Sequence, residues 1–274
     1  MPGTPSKGVF SGEQSRTENG LSRDSFDERD EISRLQSILA QKSWIGFDLD
    51  DTLHEFRRAS SKAVDSVLSA ISQRYQTPES ELRAAYSTIL REKTSNAFSD
   101  GKTSFDYRRE RFTALVTKFS IPPDDAFLEE LLGRYEATLM DSLELMDGTI
   151  TLLSTIRSCG KKIMVITEGP QDAQERTVKG LGIDKYIDYL ATTNHFRAPK
   201  VGGLFPKVLE DLKIPPGDMA YVGDSEDRDM KPAMAAGIFS IHYDKNQHSS
   251  FKSSPPRVKS LQELVQAFIE KEIS

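Results

Sequence analysis

Past Gly148 the chain repeats one pattern: a short run of apolar residues, a polar residue that closes it, then a helical length. The runs are Lys161–Thr167 (KKIMVIT), Met219–Gly223 (MAYVG) and Ile238–Tyr243 (IFSIHY), with a shorter one near Tyr186–Ala191. An earlier run, Ser43–Leu49 (SWIGFDL), has the same character. Apolar runs of this length without alternation read as strands buried on both faces, and such strands alternating with helices build a parallel sheet. Helical spacing fills the intervals: Ile150, Leu153 and Ile156; about Asp172–Leu181; about Leu204–Leu212; a short helix ending at Gly237; and a terminal helix around Leu261–Ile269. The expected fold class is therefore α/β, a doubly wound parallel sheet.

A second pattern interrupts the first. From about Ala59 to Met140 the apolar residues fall at helical spacing, as in Ala63, Val64, Val67, Leu68 and Ile71, then Leu82, Tyr86, Ile89 and Leu90. Phe112, Leu115, Val116 and Phe119 form a third face, and Phe127, Leu128, Leu131, Leu132 and Tyr135 a fourth. Pro78 and Pro122–Pro123 punctuate the block as helix starts or loops. An all-helical insertion at 59–140 thus splits the sheet domain into 32–58 and 141–274. Ile32–Lys42 has the mild amphipathic spacing of a leading helix.

Apolar residues make up only 37% of the 274, low for a chain packed throughout. The shortage concentrates at 1–31, where Met1, Val9, Phe10, Leu21 and Phe26 stand alone among polar and charged groups. Such a stretch cannot offset its ordering entropy and is expected to be a disordered tail. A net charge of −6 argues against nucleic acid as a partner. No apolar run reaches the ~18 residues of a membrane span, and the N-terminus lacks a secretory pattern. Cys159 is the single cysteine, which rules out an internal disulfide and a multi-cysteine zinc site. The expectation is a cytoplasmic protein, the nucleus left open, acting as a monomer or homodimer.

In open α/β sheets ligands bind outside the carboxyl ends of the strands, so the closing residues carry the chemistry. They are Asp48-Leu49-Asp50-Asp51-Thr52-Leu53, Thr167-Glu168-Gly169 and Gly223-Asp224-Ser225, the last followed by Asp227 and Asp229; Lys200 precedes the Leu204–Leu212 helix. Each group has a task on a phosphate ester. Two carboxylates two residues apart leave extended chain on one side; one can attack phosphorus while the other handles protons. A phosphate dianion approaches several acids only if a hard cation such as Mg²⁺ intervenes, and Asp48 and Asp224 are its expected side-chain ligands. Thr167 and Lys200 supply a hydroxyl and a positive charge to the phosphoryl oxygens.

Taken together, these residues resemble the haloacid dehalogenase-like (HAD) hydrolase superfamily over about residues 43–270. Asp48-Leu49-Asp50-Asp51-Thr52 matches its Asp-x-Asp-x-Thr motif, Thr167 the second motif, Lys200 the third, and Gly223-Asp224-Ser225-Glu226-Asp227-Arg228-Asp229 the fourth. Ala235-Ala236-Gly237 also follows the family pattern, and the helical insertion is similar to a C1-type cap. The resemblance implies Asp48 as nucleophile forming an aspartyl-phosphate, and Asp50 as general acid/base. It implies Mg²⁺ held by Asp48, the Asp50 carbonyl and Asp224, with Asp229 supporting or ligating. Thr167, Glu168 and Lys200 then surround the phosphate of a small phosphorylated metabolite. Two features depart from the family: Glu168 stands where many relatives carry Asn, and APKVGGLF surrounds Lys200 in place of a Lys-Pro-Asp-Pro run. Lys200 is preferred to Lys207, which falls within the helix.

Four other activities share this framework: a 2-haloacid dehalogenase, in which Asp50 would have no leaving oxygen to protonate; phosphoryl transfer between sugar hydroxyls; a nucleotide 5′-monophosphatase; and a non-catalytic binding module. The remaining conspicuous residues read as structure. Asp51 is expected to point away from Asp48 and Asp50 as a solvated or capping acid. Trp44 reads as packing, and His54 and Phe56 as a hinge into the cap. The cap aromatics Tyr86, Phe105, Tyr107 and Phe112 read mostly as bundle core. Gly180-Leu181-Gly182 marks a helix end.

Overall fold

The computed structural model describes residues 23–94, 98–122 and 124–269. Six parallel strands form one sheet: β1 Trp44–Phe47, β2 Lys162–Thr167, β3 Tyr189–Thr192, β4 Met219–Gly223, β5 Phe239–Tyr243 and β6 Arg257–Val258, in spatial order β3-β2-β1-β4-β5-β6. The order reverses at β1 and β4, which leaves β1 central with β2 and β4 beside it. That reversal is the crevice where an open sheet binds ligands.

Alternation along the strands builds two cores, one on each face. Ile45, Phe47, Ile163, Val165, Ala220 and Val222 point to the face covered by α1 (Arg23–Ala40), α6 (Thr149–Ser158) and α11 (Leu261–Gln266). Met164, Ile166, Met219 and Tyr221 point to the other face, under α9 (Leu204–Leu212) and α10 (Lys231–Ala235). Gly46 shares that second face, and a Cβ there would fall 2.3 Å from Met219 Cε and 3.0 Å from Tyr221 Cδ2. The missing side chain leaves room for Tyr221, whose hydroxyl reaches Ile166 O of β2 at 3.0 Å.

The insertion folds as four helices, α2 Phe56–Tyr75, α3 Glu79–Lys93, α4 Ser104–Lys118 and α5 Asp125–Asp141, around an apolar core of their own. Leu68, Ile71, Leu82, Phe112, Leu115 and Leu131 are fully buried in it. Pro78 caps the start of α3, whereas Pro123 lies outside the described residues. No helix among the described residues is long and apolar enough to cross a membrane.

Two expectations need correction. Residues 1–22, most of the expected tail, lie outside the described residues, and α1 begins at Arg23, inside the stretch expected to be disordered. Leu35 and Leu39 anchor the helix on the sheet, and adding turns to an anchored helix of Arg, Asp and Glu costs little once nucleation has occurred. The sixth strand was not anticipated, since two residues are too few to show a period.

The cap meets the sheet domain at several places, among them Asn194, whose Nδ2 donates to Phe98 O at 3.2 Å and Lys102 O at 3.0 Å. At the hinge, Leu53–Glu55 runs against Glu144–Met146: Glu55 N–H donates to Glu144 O at 2.9 Å and Met146 N–H to Leu53 O at 3.0 Å. At the far end, α7 (Gln171–Gly180) reaches the start of α4. Asp172 accepts from the Ser104 backbone N–H at 2.9 Å and the Ser104 hydroxyl at 2.6 Å, and from Arg176 Nη1 at 2.9 Å. Arg176 continues to Glu136 of α5 at 2.7 Å. Asp172 thus caps a helix of the other domain, satisfying an N-terminal N–H that has no partner within its own helix.

Burial pushes the Asp172 carboxyl up, but the Ser104 hydrogen bonds and Arg176 outweigh it and hold it below its ordinary value. A carboxyl with a lowered folded-state value stabilises fully above its unfolded value of about 3.9 and loses that contribution as pH falls through the lowered one. Asp172→Asn is therefore expected to lower stability by about 1–3 kcal/mol at pH 7, with the difference from the parent shrinking below about pH 4. Urea unfolding of both proteins at pH 7 and pH 3 checks it; a pH-independent difference refutes it.

Candidate active site

The carboxyl ends of β1 and β2 and the turn that follows β4 converge beneath the cap on a cavity of about 940 Å³, and Asp224 lines a smaller neighbouring cavity that shares Asp51 and Arg57 with it. Asp48 follows β1 directly and is buried. Thr167 ends β2, buried, its hydroxyl without a hydrogen-bond partner. Asp224 follows β4; its Oδ1 is buried and also without a hydrogen-bond partner. Lys200 opens a 3₁₀ turn, Lys200–Gly202, with its side chain only 3% exposed.

The ammonium of Lys200 is held between two acids, 2.6 Å from Asp48 Oδ1 and 2.6 Å from Asp229 Oδ1. Asp229 comes from the π-helical turn Glu226–Met230. Its Oδ1 also accepts from the Tyr221 hydroxyl at 2.9 Å and its Oδ2 from the Ser225 N–H at 3.0 Å. Burial would push the Lys200 ammonium down, but the attraction of Asp229 and Asp48 outweighs it, so Lys200 is held protonated well above its ordinary value. Asp48 is pushed up by burial, with Lys200 pulling against it and Asp229 and Asp50 adding to the rise. Asp224 is raised by burial and by Asp229, partly offset by Arg57.

The buried ammonium is held by Asp48 and Asp229, while Asp50 pairs with His54 and Asp224 with Arg57. Carboxylate oxygens of Asp48, Asp224 and Asp229 lie within 4.8 Å of one another. An all-oxygen donor set with one buried, unpartnered oxygen on Asp224 fits a hard divalent cation.

Of the other expected residues, Asp50 lines the cavity, its Oδ1 2.9 Å from Nε2 of the fully buried His54. His54 also bridges to Leu145 in the hinge, so the residue read as a hinge steadies Asp50 as well. Glu168 lines the cavity, but Oε1 accepts from the Lys200 backbone N–H at 3.1 Å and Oε2 lies 3.7 Å from Arg228. Its carboxylate is committed to the loop that carries Lys200. Lys207 instead donates to Phe196 O at the surface.

Asp51 corrects its expectation. It is buried, lines the same cavity, accepts from the Arg57 N–H at 3.1 Å and pairs with Arg57 Nε at 3.1 Å. Its φ of +62° takes the chain out of the extended form on which opposite-side pointing depends. It is a capping acid, as expected, but not a solvated one. Arg57 itself was not anticipated: from the first turn of α2 it reaches Asp224 Oδ2 at 3.1 Å, joining cap to sheet. No sequence signal marks it, because its partner lies across the fold.

A doubly wound sheet whose strand ends gather carboxylates under a helical lid defines a capped α/β hydrolase. The chain belongs to the haloacid dehalogenase-like hydrolases: the family's model matches residues 45–243. It is 28% identical over 226 residues to a glyceraldehyde 3-phosphate phosphatase of Methanocaldococcus jannaschii, covering 80% of this chain and 93% of that one. To the N-acylneuraminate-9-phosphatase of Mus musculus it is 22% identical, covering 82% and 88%. Among solved structures it shares its fold with the HAD-hydrolase YfnB of Bacillus subtilis bound to magnesium, at TM-score 0.62 and 21% identity, over 83% of this chain and 98% of that one. The 2-haloacid dehalogenase of Pseudomonas syringae pv. Tomato DC3000 gives TM-score 0.62 at 20% identity, over 82% and 97%.

The packing of Asp229 depends on Gly223. A Cβ there would fall 2.6 Å from Asp229 Cγ and 2.7 Å from its Cβ. Gly223→Ala should cost about 1–3 kcal/mol. Most of that cost should vanish when Asp229 is also Ala, a coupling of about 0.5–3 kcal/mol. Chemical denaturation of the four proteins of this cycle is the measurement; additive effects sink the prediction.

Proposed function

We propose that this hydrolase is a phosphatase that removes the phosphate from a small phosphorylated metabolite. The observation that carries the reading is Asp48 and Asp224 at the ends of adjacent strands, with Lys200 2.6 Å from Asp48. The relatives named as phosphatases support it.

In this reading the substrate phosphate sits against Asp48, the Thr167 hydroxyl and Lys200. One oxygen of Asp48 attacks phosphorus as the bond to the leaving oxygen breaks, and Asp50 gives its proton to that oxygen. Asp50 then takes a proton from water, whose oxygen attacks phosphorus and releases Asp48 as carboxylate. The sum is ester plus water to alcohol plus phosphate. Asp48, Asp224 and the Asp50 carbonyl would hold Mg²⁺, with Asp229 in support because both its oxygens already accept from protein donors. A bound Mg²⁺ would neutralise charge between the carboxylates and the phosphate. His54 positions Asp50, and cap closure excludes bulk water and selects the organic group.

A dehalogenase would attack carbon and has no oxygen for Asp50 to protonate. The test is phosphate release from sugar phosphates, nucleotides and phosphoacids, with Mg²⁺ or chelator, beside Asp48→Asn, and halide release from haloacids in parallel. Phosphate release that falls by at least about 10³-fold in Asp48→Asn and vanishes with chelator is expected. Halide release without phosphate release overturns the reading.

A further inference from the structure

The two sides of the cavity carry opposite charge. All five acids of its lining, Asp48, Asp50, Asp51, Glu168 and Asp229, stand on the sheet side, and the cap helices contribute arginines and no acid. Arg57 is paired with Asp51 and Asp224, Arg83 with Asp65, and Arg108 with Glu136. One guanidinium remains. Arg111 of α4 is 8% exposed and lines the cavity. Its Nε donates to Tyr107 O at 3.2 Å, and among the described residues no other hydrogen bond or ion pair reaches it.

An arginine does not shed its proton, so this charge is permanent. Nine-tenths buried without a counter-ion, it is a costly arrangement unless an anion arrives. Arg108, three residues earlier on the same helix face, is itself neutralised by Glu136. The surplus is therefore one positive charge, facing the cavity from the side opposite Lys200. The guanidinium fork fits carboxylate and phosphate oxygens alike, but its single charge balances a carboxylate in full and a phosphate dianion only by half. The cavity volume, about 940 Å³, suits a small molecule spanning from one side to the other.

We infer that the substrate is a phosphorylated carboxylic acid, and that Arg111 binds its carboxylate and determines specificity. The inference rests on the phosphatase reading above. The test uses the full chain with Mg²⁺ on matched pairs: 3-phosphoglycerate against glycerol 3-phosphate, and 6-phosphogluconate against glucitol 6-phosphate. Fructose 1,6-bisphosphate against fructose 6-phosphate examines a second phosphate, and p-nitrophenyl phosphate reports bare turnover.

The acid of each matched pair should be preferred by about ten- to a hundredfold in kcat/KM. Arg111→Met should bring that ratio towards one, chiefly through KM, and Arg111→Lys should keep part of it. Equal use of both members, preference for the bisphosphate over the acids, or a variant that lowers both members by the same factor overturns the proposal. Thermal unfolding of each variant separates loss of fold from loss of recognition. If no ester is hydrolysed, p-nitrophenyl phosphate included, the phosphatase reading falls and Arg111 is decided by calorimetry with gluconate: saturable binding lost in Arg111→Met upholds the anion site, and no binding overturns it.

Discussion

The ammonium of Lys200 between Asp48 and Asp229 is the interaction on which the site is built. A buried ammonium needs anions close by, and removing one partner of a buried pair costs about 3–5 kcal/mol because the other is left uncompensated. Here three segments distant in sequence supply the three groups: the end of β1, the turn before α9 and the π-helical turn after β4. Each is fixed by a further constraint. Gly46 lets Tyr221 cross the sheet and reach Asp229, Gly223 leaves room for the Asp229 side chain, and Glu168 ties down the Lys200 backbone. Lys200 offsets only one of the negative charges around it. The excess on the sheet side is what a divalent cation and a phosphate would need to find together: acids for the metal, ammonium and hydroxyl for the phosphoryl oxygens.

The cap works against that background as a body with an apolar core of its own. Its hydrophobic cluster shares no residue with the two sheet clusters. The hinge is backbone hydrogen bonding, and the far contact is a charged cluster of Asp172, Arg176, Glu136 and Ser104. In that second contact the Asp172 carboxylate accepts three hydrogen bonds, one of them from the charged Arg176. Arg57 completes the link from the cap side, its guanidinium between Asp51 and Asp224.

How far the sequence could be read follows from where each signal lies. The buried strands and the helical insertion were legible because their periods are local, and that Asp48, Thr167 and Asp224 fall at strand ends was legible because they close those strands. What escaped was set by distant partners. Asp51 was misread because a positive φ, invisible in sequence, turns it inward. His54 gave a hinge signal but no hint that its ring meets Asp50. Arg57, Arg83, Arg108 and Arg111 look alike in sequence; only the fold shows which three are paired. The two-residue β6 and the N-terminal extension of α1 depend on neighbours, not on their own pattern.

Glu168 illustrates how a departure from a family pattern is absorbed. An amide in that position has a donor for a phosphate; a carboxylate has only acceptors and adds repulsion. The fold answers by giving both oxygens other work: Oε1 takes the Lys200 N–H, and Oε2 faces Arg228. The negative charge is thereby turned towards the loop that presents the ammonium. Because APKVGGLF lacks the usual proline-bounded turn on the C-terminal side of Lys200, that loop has fewer constraints of its own, and a charge-assisted hydrogen bond from Glu168 supplies one. The two departures from the family pattern are in contact, and each makes physical sense of the other.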